Sequence, residues 1–214
     1  KKIVQKSVLA LRVHIFIKLV ADLMNNIKRI CIFASSCNYL EKSYYEVASE
    51  FGELLAKSGF DMVYGGSSLG LMWACAEQVK KNGRQIIGVM PERLHNMGVY
   101  TDDCVELFVT PCMRSRKAKM DELSDGVVAL AGGFGTLEEL SEMIVQKQLG
   151  YNNKPIVLLN TNGFYDKLIE FFEEIIKQNF ASNKAKNLYY VAQTAEEAIE
   201  YIKNYKFENL TVTK

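Results

Sequence analysis

The stretch from Asp125 to Leu140, Asp-Gly-Val-Val-Ala-Leu-Ala-Gly-Gly-Phe-Gly-Thr-Leu-Glu-Glu-Leu, constrains the fold more than any other. Its first half is a short β-branched run of the kind buried on both faces of a parallel sheet. Gly132, Gly133 and Gly135 then carry the chain through a tight turn into a helix expected to start near Thr136. Such a turn offers free backbone N–H groups, glycine lets a ligand approach them closely, and the helix terminus adds partial positive charge. Phosphate is the guest this chemistry favours. Two better-known phosphate loops are excluded. The dinucleotide fingerprint needs a glycine where Glu138 stands and an acid about 20 residues on, near Leu158-Leu159-Asn160. The nucleoside-triphosphate loop needs a lysine that Gly135-Thr136-Leu137 lacks. A monophosphate ester fits best, with Glu139 one helical turn away from it.

Around this turn the chain alternates strand with helix. Strands are expected at 30–34, 60–64, 85–89, 105–109, 127–130, 156–159 and 188–192, with helices at about 43–58, 70–83, 113–123, 137–149, 164–178 and 194–206. The segment 92–103 reads as loop or short helix. This order implies an α/β, Rossmann-like, doubly wound, mainly parallel sheet of about seven strands with helices on both faces. Ligands of such folds sit at the carboxyl ends of the strands, where Ser35-Ser36, Gly65-Gly66 and Gly132-Gly133 form small-residue turns. With 214 residues, 49% of them hydrophobic, residues 29–210 suffice for one well-buried domain.

Composition narrows the partners. A net charge of +1 gives no basic field for a nucleic-acid polymer. The five cysteines form no Cys-x-x-Cys pair and read as reduced thiols of a cytoplasmic protein. His14 and His95 are the sole histidines and lack ligand-like spacing, so no metal or cofactor is expected. Residues 1–28 differ from the rest. Apolar residues alternate from Leu9 to Leu19, but Arg12, His14 and Lys18 interrupt the run, which is neither a membrane span nor a signal-peptide core. Met24 is the expected natural start and the residues before it an extension.

Gly66-Ser67-Ser68-Leu69-Gly70 matches the nucleophile elbow of serine hydrolases in a strand–turn–helix context, which makes an esterase using Ser68 a remote alternative. A triad needs a histidine further downstream than His95, and none follows. Ahead of the fifth strand comes Met113-Arg114-Ser115-Arg116-Lys117-Ala118-Lys119-Met120. Taken with the glycine turn, Met113, Arg116, Lys117 and Met120 followed by Gly132, Gly133, Gly135, Thr136 and Glu139 resemble the paired signature of the Lonely Guy family. These are cytokinin riboside 5′-monophosphate phosphoribohydrolases, often mislabelled lysine decarboxylases. The resemblance spans about residues 29–205. It departs at Ala131, Ser67 and Trp73, where family members carry proline or glycine. It departs again at His95–Tyr100, where an acid is missing, and at Val145-Gln146, which replaces Thr-Trp.

The resemblance implies hydrolysis of the N-glycosidic bond of a nucleoside 5′-monophosphate to free base and ribose 5-phosphate. It implies catalytic roles for Arg116 and Glu139, and contacts to substrate or its phosphate from Ser35, Met113, Lys117, Gly132, Gly133, Phe134, Gly135 and Thr136. It further implies a homodimer, toward which the apolar faces around Leu71, Met72 and Trp73 and around Met143 and Ile144 are assigned. The departures leave the preferred base open. A nucleotide-binding module without turnover is the alternative from another functional class.

Overall fold

The computed structural model describes residues 27–207. The proposed start at Met24 and the extension before it lie outside these residues, as do residues 208–210 of the expected domain. Seven strands form one sheet: β1 (Arg29–Phe33), β2 (Asp61–Tyr64), β3 (Ile86–Pro91), β4 (Glu106–Thr110), β5 (Gly126–Ala129), β6 (Ile156–Leu159) and β7 (Tyr190–Ala192). Their order across the sheet is β4-β3-β2-β1-β5-β6-β7, and every pairing is parallel. The helices are α1 (Lys42–Lys57), α2 (Gly70–Lys81), a single turn α3 (Glu92–His95), α4 (Met113–Leu123), α5 (Phe134–Gln148), α6 (Asp166–Lys177) and α7 (Ala195–Lys203). The sheet is therefore doubly wound and Rossmann-like.

Strand side chains sort strictly by parity, which is why nearly every strand residue is apolar. Ile30, Ile32, Met62, Tyr64, Val128, Val157 and Leu159 enter one core, completed by Phe51 and Leu55 of α1, Cys75 and Val79 of α2 and Ile199 and Ile202 of α7. Cys31, Phe33, Val63, Val89, Val127, Ala129 and Leu158 enter the other with Met120 of α4, Leu140 and Met143 of α5 and partly buried Phe172 of α6. Leu71 and Met143, assigned in sequence to a partner surface, are thus spent on the chain's own cores.

The topology places the site. Winding proceeds outward from β1 to β4 in one direction, then restarts at β5 on the other side of β1. Between β1 and β5 the two connections leave in opposite directions, opening a crevice at their carboxyl ends. Asp125 anchors this junction: its Oδ2 accepts the N–H groups of Lys28 at 2.8 Å and Arg29 at 2.9 Å, which sets β1 in register against β5. Across the crevice Ser35 N–H donates to the Ala131 carbonyl at 3.1 Å, while the Ser35 carbonyl accepts Leu71 N–H at 2.9 Å. The turns after β1 and β5 and the start of α2 are held as one unit.

Candidate active site

The turn after β5 enters its helix two residues earlier than the sequence suggests. Gly133 is the N-cap residue and Phe134, Gly135 and Thr136 form the first turn, with no side chain capping them. The first intrahelical bond is Leu137 N–H to Gly133 carbonyl at 3.0 Å. Helix geometry leaves the N–H groups of Phe134, Gly135 and Thr136 without intrahelical acceptors. Glycine is normally penalised inside helices. Here it keeps three donors approachable, since a β-carbon on Gly133 or Gly135 would meet nothing within 4 Å. Gly132 serves differently: a β-carbon there would stand 2.1 Å from Thr136 Oγ1, so its absence lets the buried threonine fold back over the turn.

A cleft of about 450 Å³ runs from this turn across the ends of β1, β2 and β3. Its lining combines polar groups at Ser35, Ser36, Gly133, Gly135 and Thr136 with apolar side chains of Leu69, Met72, Met90, Leu94 and Val99. Arg116 and Glu139 line the same cleft. Both residues are 7% exposed. Arg116 comes from α4, and its Nε donates to the Val89 carbonyl at the end of β3 at 3.0 Å, while Nη1 donates to Glu139 Oε1. Its Nη2 passes so close to the turn after β2 that a β-carbon on Gly65 would stand 2.8 Å away. The guanidinium is thus fixed by backbone on one side and carboxylate on the other, an arrangement lysine could not reproduce. Burial pushes the Glu139 carboxyl above its ordinary value, with Arg116 pulling it only part of the way back.

The remaining sequence-derived residues divide. Ser35 and Met113 line the cleft. Lys117 does not: it pairs with Glu138 and Glu142 on the adjoining α5, away from the cleft lining, and so ties α4 to α5. Phe134 is 92% exposed and is not part of the cleft lining, although its N–H is among those left without an intrahelical acceptor. Gly132 walls a neighbouring depression with Ser35, Tyr44 and Phe164. Ser68 is exposed and absent from the cleft lining, and His95 stacks on Tyr100 at 4.6 Å, which leaves the esterase reading without a site. Sequence reasoning did not name Leu94 or Val99 as cleft residues, although it read His95–Tyr100, the stretch that holds Val99, as a departure bearing on the preferred base.

Several known proteins resemble this chain. Residues 72–202 match the family model described as "Possible lysine decarboxylase". A cytokinin riboside 5′-monophosphate phosphoribohydrolase of Oryza sativa subsp. japonica is 38% identical over 183 residues, covering 84% of this chain and 76% of that protein. One of Arabidopsis thaliana is 37% identical over 184 residues, covering 86% of each. Among solved structures, the molybdenum cofactor carrier protein of Chlamydomonas reinhardtii superposes with a TM-score of 0.65 at 25% identity over 83% of this chain and 97% of that one. A molybdenum cofactor binding protein from Rippkaea orientalis gives 0.64 at 24% identity over 83% and 96%.

Proposed function

Because the chain belongs to the family of the cytokinin riboside 5′-monophosphate phosphoribohydrolases, we propose that it hydrolyses the N-glycosidic bond of a nucleoside 5′-monophosphate, releasing free base and ribose 5-phosphate. The observation that carries this reading is the buried Arg116–Glu139 pair in a cleft that is also lined by an uncapped, glycine-opened helix terminus. The 5′-phosphate binds the N–H groups of Phe134, Gly135 and Thr136, and this remote binding energy positions the sugar over Glu139. As the C1′–N bond breaks, its electron pair leaves with the base and C1′ becomes oxocarbenium-like. The Glu139 carboxylate stabilises that charge and accepts a proton from the attacking water, solvent water protonates the departing base nitrogen, and Glu139 then releases its proton to solvent, so that one water is consumed in total. Arg116 holds the carboxylate in place and keeps it ionised against the cost of burial.

A binding module without turnover would use the phosphate turn in the same way. It would leave a desolvated carboxylate with no task, and desolvation is costly. Partly buried Trp73 and Ile144 and exposed Val145 and Leu149 support assembly as a homodimer. Five free cysteines fit a cytoplasmic setting. Among the described residues no helix is long and apolar enough to cross a membrane. Incubation with AMP, GMP, CMP and UMP, assayed for ribose 5-phosphate, tests the proposal. Release above the uncatalysed rate from at least one is expected, and release from none of a panel extended to N6-substituted adenosine monophosphates overturns it.

A further inference from the structure

Ser67 stands in the turn after β2 and lines the cleft, with β1 between its strand and the one that leads into the glycine turn. It is 5% exposed, and its Oγ is shut off from solvent without a hydrogen-bond partner. Its surroundings make this unusual. The strap that follows α3 is clamped over the turn by an antiparallel bridge between Ser67 and Tyr100 and by Thr101 N–H donating to the Gly66 carbonyl at 3.0 Å. Leu94 of α3 and Val99 of the strap line the cleft together with Met72 and Met90. A single hydroxyl is therefore buried in an apolar wall, where an unsatisfied polar group is unfavourable. Such a group calls for an explanation outside the protein's own hydrogen bonds.

Sheet geometry supplies one. The glycine turn follows β5 and Ser67 follows β2, with β1 between them. Neighbouring strands lie about 4.8 Å apart, so the two turns are separated by about 10 Å. That matches the span from a 5′-phosphate to the base of a nucleoside monophosphate. From the function proposed above, on which this step rests, we infer that Ser67 is a specificity-determining contact: turned about χ1 from its present closed position toward the cleft that the residue lines, its hydroxyl hydrogen-bonds a polar edge atom of the nucleobase held among Leu94, Val99, Met72 and Met90. A hydroxyl both donates and accepts, so it can meet either a ring nitrogen or an exocyclic amino or carbonyl group. Apolar walls hold the ring faces, and Ser67 reads the edge.

The test compares ligands with and without a base. Affinities of wild type and Ser67→Ala for AMP, GMP, CMP and UMP, and for ribose 5-phosphate, are measured by calorimetry. Loss of one neutral hydrogen bond predicts about three- to tenfold weaker binding of the tightest nucleotide, with ribose 5-phosphate unchanged within about twofold. Equal weakening of both, or of neither, overturns the inference, as does a wild type that binds no nucleotide more tightly than ribose 5-phosphate. Removing an unpartnered hydroxyl should not lower the melting temperature, so a fall in Tm would reveal a partner within the protein and also overturn it. Turnover is assayed in parallel. A wild type that binds nucleotides but releases no ribose 5-phosphate removes the hydrolase reading while the affinity comparison still decides the role of Ser67.

Discussion

Glu139 keeps its charge against its surroundings. Burial raises its carboxyl above the ordinary 4.5, and Arg116 restrains the rise. Stabilising the oxocarbenium-like centre requires the ionised form, which is present above the folded-state pKa and lost as pH falls through it. Activity should therefore fail on the acid side at a pH above 4.5, measured as the lower inflection of kcat/KM against pH; an inflection at or below that value would mean the titrating group is not this carboxylate. Arg116 gives a second prediction at the same scale. Arg116→Lys keeps the charge but cannot bond both the Val89 carbonyl and Glu139 in the present geometry. Loss of one charge-assisted bond predicts about a 10- to 100-fold fall in kcat/KM, checked by steady-state assay.

At the scale of elements, α5 combines a phosphate end with a structural end. Gly135 lies in its first turn with open space where a side chain would be. Gly135→Ala should stabilise the fold by about 0.5–1 kcal/mol in urea unfolding, because helical alanine is favoured over glycine. The same methyl group occupies ligand space, so affinity for ribose 5-phosphate should drop. Opposite signs in the two measurements are expected. Near the other end, Lys147 is 1% exposed, donating to the Lys154 carbonyl at 2.9 Å over the Tyr205 ring, and burial lowers its pKa from 10.5 to about 8. The folded state releases this proton between those two values while the unfolded chain retains it. Lys147 thus contributes stability that grows as pH rises from about 8 toward 10.5, and Lys147→Met should flatten the rise seen in denaturation series across that window.

The elements were largely legible because strand parity and helix periodicity reflect burial directly: α4 and β6 begin and end where the pattern says. The start of α5 was not, since helix propensity penalises glycine and the early start serves ligand access instead. Nor was the orientation of Lys117, which depends on Glu138 and Glu142 facing it from the next helix.

For the whole molecule, the strand order determines what meets in the cleft. Ser35, Gly65, Arg116 and Glu139 are far apart in sequence and converge because β1, β2, β3 and β5 end side by side. The sequence showed the phosphate turn, where the donors are contiguous, but hid the apolar lining, assembled from three separate segments around Met72, Met90 and Val99. The same view bears on assembly. Light scattering at micromolar concentration should give about twice the chain mass of 24.2 kDa; a monomer would remove the homodimer from the account. The central claim is that the cleft turns over nucleotide rather than merely holding it, and Glu139→Gln tests it most directly. This change keeps the shape and an acceptor for Arg116 but removes the charge that meets the oxocarbenium-like centre. Calorimetric affinity for AMP beside ribose 5-phosphate release, at neutral pH, should show binding retained and release reduced by about 100-fold or more. A wild type that binds AMP yet releases no more ribose 5-phosphate than Glu139→Gln, with any common base, would contradict the account.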